Sequence, residues 1–148
     1  MSIKDRLQED IKAAMRAKEA ERLTTLRLVT AAIKQKEVDE RIVLDDAAVL
    51  SVLEKMIKQR KDSISQFAAG NRQDLVAKEQ AELDILAGYM PEQMSEADLD
   101  AAIAAAIAES GASGPQAMGK AMALLKPRLA GKADMGQVSQ RLKARLTQ

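Results

Sequence analysis

Neither glycine nor proline occurs in the first 69 residues. All three prolines (Pro91, Pro115, Pro127) and six of the seven glycines lie at or after position 88, Gly70 being the exception. A chain without these breakers can run in long, uninterrupted helices. Apolar residues recur there at helical spacing: Ile3, Leu7, Ile11 and Ala14/Met15, then Leu23, Leu26, Val29/Thr30 and Ile33, then Val49, Leu53, Met56/Ile57, Ile64 and Phe67. Ser2 caps the first predicted helix. The second covers Glu21 to Glu37, and Val38 to Asp45 reads as a charged connection. Asp45 caps the third, Gly70-Asn71 stops it, and a fourth spans about Asp74 to Ala87.

The glycine and proline content changes at Gly88-Tyr-Met-Pro91, and a domain boundary is expected there. The expected domains are an N-terminal helical one, 1–90, and a C-terminal basic one, 95–148, hinged over Tyr89 to Ser95. Ser95 with Asp98 forms a capping-box pattern and opens an Ala-rich helix carrying Leu99, Ile103 and Ile107, which Gly111 ends. Pro115 suits the first turn of the next helix, with Met118, Met122 and Leu125 as its stripe and Pro127 as its stop. Asp134 with Gln137 opens the last helix, with Val138, Leu142 and Leu146. No period-2 pattern occurs, so the fold class expected is all-α, in two helical domains.

One Tyr and one Phe leave an aliphatic core and few platforms on which bases could stack. The absence of Cys and His removes disulfides, thiolate nucleophiles, the best zinc ligands and the commonest general base. No metal, no cofactor and no catalytic residue is expected. The N-terminus, Met1-Ser-Ile-Lys-Asp-Arg, is charged with no apolar run behind it, and no stretch approaches a membrane span. A cytoplasmic protein is expected.

Charge divides sharply along the C-terminal third. From Gly111 to Gln148 there are seven bases and one acid, Asp134, a local charge of +6 in a chain of net charge +1. Just before it, Ser95 to Ser110 holds Glu96, Asp98, Asp100 and Glu109 and no base. Such a segment suits an anionic partner, with nucleic acid the usual one; the plainer reading is a solvated helical face. Lys55, Lys58 and Lys61 lie on one face of the third helix, with Arg60 beside the apolar stripe and Glu79 and Glu82 on the helix expected to pack back. Ion pairs joining two antiparallel helices, plus a solvated lysine face, account for these better than a site does. Met118 and Met122 read as core filling rather than as an adaptable groove. Gly131-Lys-Ala-Asp-Met-Gly136 lacks the Lys-Ser/Thr sequel of a P-loop.

Six blocks taken together resemble one family. They are Thr25-Leu-Arg-Leu-Val-Thr-Ala-Ala-Ile-Lys-Gln-Lys-Glu-Val-Asp-Glu-Arg41, Lys55-Met-Ile-Lys-Gln-Arg-Lys-Asp-Ser63, Arg72-Gln-Asp-Leu75, Tyr89-Met-Pro-Glu-Gln-Met-Ser95, Met118-Gly-Lys-Ala-Met122 and Gly131-Lys-Ala-Asp134. In order and spacing they resemble the YqeY family of small bacterial proteins. That family is similar to the tail of GatB, the B subunit of the glutamine-dependent aspartyl/glutamyl-tRNA amidotransferase. The resemblance implies a longer N-terminal bundle, a smaller C-terminal domain of about three helices, and a tRNA-related role. It places Met118-Gly119-Lys120 and Gly131 to Asp134 on the tail's motif; Met135 stands where many relatives have Gly directly after the Asp. A carbon–nitrogen ligase activity with glutamine as amido-nitrogen donor is also implied by kinship. The residues give it little support: a Ser/Ser/Lys nucleophile system in a Gly/Ser-rich loop and a nucleotide cradle are both missing.

The function expected is a non-catalytic tRNA-binding accessory role, with Lys120, Lys126, Arg128, Lys132 and Lys143 on the RNA phosphates. Pro127 and Gly131 should fold the chain back and gather the first four. Arg141 and Arg145 flank an apolar stripe and are weaker candidates. A protein–protein adaptor is the alternative, and a protein partner in tRNA metabolism is compatible with either.

Overall fold

A computed structural model describes residues 1–111 and 114–147. Among them the chain is all-helical: α1 (Ile3–Ala17), α2 (Ala20–Glu40), α3 (Asp46–Ala69), α4 (Gln73–Ala87), α5 (Glu96–Ser110), α6 (Pro115–Leu129) and α7 (Met135–Leu146), with no strand. The contacts divide it into two compact units, Met1–Met90 and Pro91–Gln148.

In the first unit, α1 packs on α2, and α2 packs on both α3 and α4. Leu7, Leu26, Val29, Ile33, Val49, Leu53, Met56 and Leu86 form its core, with Leu44 and the Tyr89 ring. Ser2 and Asp5 close a full capping box, and the Asp45 carboxylate accepts from the Ala48 amide. One expected boundary moves. Helix α2 continues to Glu40, because the charged residues after Glu37 solvate a helix as readily as a loop, and left-handed Arg41 (φ 55°) ends it. The expected stop at Gly70-Asn71 holds: α3 ends at Ala69, Gly70 caps it, and Asn71 takes the left-handed conformation. From residue 57 to residue 85 no side chain is fully buried. Here α3 and α4 form a hairpin, which α2 flanks along Lys78 to Ile85 of α4.

The second unit packs α5, α6 and α7 mutually. Leu99, Ile103, Ala106, Leu125, Leu129, Val138 and Leu142 are its core. On α6 the buried line is Ala117, Ala121, Leu125 and Leu129, one position away from the expected Met118–Met122 stripe. The small alanines let α5 and α6 approach closely, and Met118 and Met122 fill beside them, half-buried. Pro127 does not stop α6, which runs two residues further to Leu129. A proline in the last turn forfeits one bond to the carbonyl four residues back but leaves later residues free to stay helical. Asp134 caps α7 through the Gly136 amide at 3.1 Å rather than through the Gln137 box.

Candidate nucleic-acid interface

The second unit was expected to present a basic surface. As a whole it carries seven bases and six acids, a net charge of +1. Folding returns part of the basic segment to the acidic helix. Arg141 of α7 reaches Asp100 at 3.0 Å and Glu96 at 3.1 Å, both on α5. Arg128, near the end of α6, pairs with Glu109 at the end of α5. The candidate Arg128 is thus charge-compensated within the fold. The weaker bet on Arg141 has a physical basis in its two carboxylate partners.

Lys120, Lys126, Lys132, Lys143 and Arg145 are exposed and make no ion pair within 4 Å among the described residues. Lys132 sits in a pinned turn, its amide donating to Leu129 and its carbonyl accepting from Met94, at 2.9 and 3.0 Å. The carbonyl of neighbouring Gly131 accepts from the Gln93 side chain at 2.7 Å. Of the four cations expected to gather on α6 and the turn after it, the three on α6 do not share one face. At roughly 100° per residue, Lys126 and Arg128 point about 160° apart, and Lys120 and Lys126 about 120° apart. Pro127 does not fold the chain back there, since α6 continues through it to Leu129.

In the first unit, the sequence reading of helix three holds. Arg60 pairs with Glu82 at 3.0 Å and Glu79 at 3.6 Å, while Lys55, Lys58 and Lys61 are solvent-exposed. The sequence reading missed a groove between α1 and α2, of about 570 Å³, whose lining includes Lys4, Arg27 and Lys34. The signal available was Arg27 and Lys34 seven residues apart, two turns along one helical face. Among the described residues no group of three His, Cys, Asp or Glu could hold a metal ion, and no helix is long and apolar enough to cross a membrane.

A model of the YqeY family, described as Yqey-like protein, matches residues 4–146. The chain belongs to the YqeY family. Several fungal proteins are similar to this YqeY-family chain, each named "Altered inheritance of mitochondria protein 41, mitochondrial". The one from Lachancea thermotolerans is 40% identical over 112 residues, covering 74% of this chain and 60% of the relative. That from Pyrenophora tritici-repentis is 37% identical over 128 residues, covering 83% of this chain and 71% of the relative. In Saccharomyces cerevisiae the figures are 42% over 95 residues, 64% of this chain and 51% of the relative. The chain therefore spans from about half to 71% of the length of these relatives.

These names overturn two expectations, that the protein is bacterial and that it is cytoplasmic: the similar proteins are fungal and named as mitochondrial. The sequence argument rested on the lack of an apolar run behind Met1. That pattern speaks only to secretory leaders. Mitochondrial leaders are amphipathic and Arg-rich rather than apolar, so the test could not identify the compartment.

Proposed function

We propose that this YqeY-family chain is an accessory protein of tRNA metabolism, akin to the tail of the amidotransferase B subunit, that binds folded RNA through its second unit. One observation carries the reading: Lys120, Lys126, Lys132, Lys143 and Arg145 are exposed there without acidic partners among the described residues. Lysines placed on different faces of a small helical unit suit a backbone that wraps or bridges, not a single pocket. Of the two aromatics, the Tyr89 ring is buried in the first unit and Phe67 is half-buried there. Recognition then rests on shape and phosphates rather than unstacked bases. Binding of tRNA to the full chain, measured against salt, tests this. Four phosphate contacts give a log–log slope of roughly −3 to −4. The quadruple variant K120Q/K126Q/K132Q/K143Q should weaken binding and flatten that slope with helicity intact. Wild-type binding by that variant, or no binding at low salt, would sink the reading.

The two units are proposed to be separate domains joined at Pro91 and Glu92. Tyr89 and Met90 pack into the first core, and Gln93 and Met94 hydrogen-bond to the turn after α6. Limited digestion with a glutamate-specific protease should cut first after Glu92.

A second reading, the adaptor, is favoured by Val38, Ile42 and Val43, which are 64, 48 and 85% exposed around the end of α2. Capture from lysate with and without RNase separates the two. RNA-dependent retention supports the first, and RNase-resistant protein partners alone support the second.

A further inference from the structure

Three grooves run between helices of the first unit, and their charges differ. The α2–α4 groove, about 280 Å³, has Lys78 against Glu21 and Glu82. The α2–α3 groove, about 470 Å³, balances Lys36 and Lys55 against Asp39 and Glu40. The α1–α2 groove is the largest of the three, about 570 Å³, and sets Lys4, Arg27 and Lys34 against Glu37 alone. The unit that carries it holds sixteen bases and sixteen acids, so this +2 lining is a local concentration of positive charge.

The three cations are not equivalent. Lys4 is consumed by an ion pair with Glu37, which also accepts from the Leu44 amide at 2.8 Å. That end of the groove is charge-neutral. Arg27 contacts only the thioether of Met15, at 3.9 Å, among the described residues, and sulfur is a weak acceptor. Lys34 has no ion pair within 4 Å among the described residues, and both side chains are exposed. They stand on one face of α2, roughly 10 Å apart along its axis. Across from them α1 contributes the exposed amide of Gln8, and apolar Leu7, Ala31 and Ile33 floor the space.

We infer that the α1–α2 groove is a binding site for a small phosphate-bearing molecule, its phosphate held by Arg27 and Lys34. The planar guanidinium offers paired donors that match phosphate oxygens, and Lys34 adds a point charge. Glu37, neutralised by Lys4, sets the far limit of the anionic part. No aromatic side chain lines the groove, so affinity comes from the phosphate rather than from stacking on a base.

Titration of the full ¹⁵N-labelled chain with pyrophosphate at constant ionic strength tests this. Chloride serves as control, and a short single-stranded RNA is a second arm. Saturable shifts are expected at Gln8, Arg27, Thr30 and Lys34. In R27Q/K34Q the affinity should fall at least tenfold, and in K120Q/K126Q it should not change, which keeps this site distinct from the proposed RNA surface. Shifts spread over every cationic face, or surviving in R27Q/K34Q with its circular dichroism unaltered, overturn the inference. Groove shifts with RNA and none with pyrophosphate overturn it too, and assign the groove to nucleic acid.

Discussion

The Tyr89 hydroxyl, just beyond α4, donates a hydrogen bond to the carboxylate of Asp10 on α1. Tyr89 is 4% exposed, and the Arg6 guanidinium lies over its ring at 4.8 Å from the centroid. The first unit's last residues are thereby fastened to its first helix. Burial pushes the phenol's ionisation well above its ordinary value, and the hydrogen bond to Asp10 pushes it further.

Replacing Tyr89 by Phe keeps the packing and leaves Asp10 without this donor. The loss expected in urea denaturation is about 1–2 kcal/mol. The sign of the pH effect follows from linkage. Above pH ~10 the unfolded chain releases the phenolic proton while the folded chain keeps it, so stability falls as pH rises. Y89F should remove that alkaline slope; an unchanged slope would show that another group causes it.

Glu37 titrates below its ordinary value, chiefly through the hydrogen bond from Lys4 and next through the Leu44 amide. Its contribution is present above the unfolded carboxylate pKa and is lost as pH falls through the folded one. Acid titration of E37Q should therefore show a flatter loss of stability below about pH 5 than wild type. Parallel curves would remove Glu37 from the acid response.

Arg60 is mostly buried between Glu79 and Glu82, where it ties α3 to α4. R60M leaves two glutamates facing each other one turn apart. About 1–2 kcal/mol of loss is expected, partly restored by E79Q/E82Q. With so little buried apolar area, backbone amides from 60 to 80 should exchange with solvent before those of α2. Equal protection in the two regions would contradict the hairpin's sparse packing.

Gly119 and Gly111 should respond to alanine in opposite directions. A Cβ at Gly119, in the middle of α6, would meet nothing within 4 Å, so G119A should stabilise by about 0.5–1 kcal/mol. Gly111 ends α5 at φ +60°, where G111A should destabilise by roughly 1 kcal/mol. Thermal melts of the two variants decide it.

Helix existence was legible in the sequence because burial and the backbone obey one local period. Ser2, Asp45 and Ser95 mark true starts, and Leu26, Val29, Ile33, Val49 and Leu53 fall in the core as their spacing implies. Even the Arg60 pairs could be read, since a hairpin of two adjacent helices leaves few choices of partner. Exact ends were less legible: Glu40 and Leu129 continue their helices because no local rule stops them, and the register of α6 follows its close approach to α5.

Charge is where the sequence alone misleads. The +6 of residues 111–148 is a property of a window along the chain. Coulomb interactions act through space, and only the packing of α7 and α6 against α5 sets Arg141 beside Glu96 and Asp100, and Arg128 beside Glu109. The same holds for the α1–α2 groove, whose Lys4, Arg27 and Lys34 are dispersed along the chain. The sequence by itself determined which segments are helical and which faces are apolar. The tertiary structure decided which cations remain free, because neutralisation depends on which helices meet.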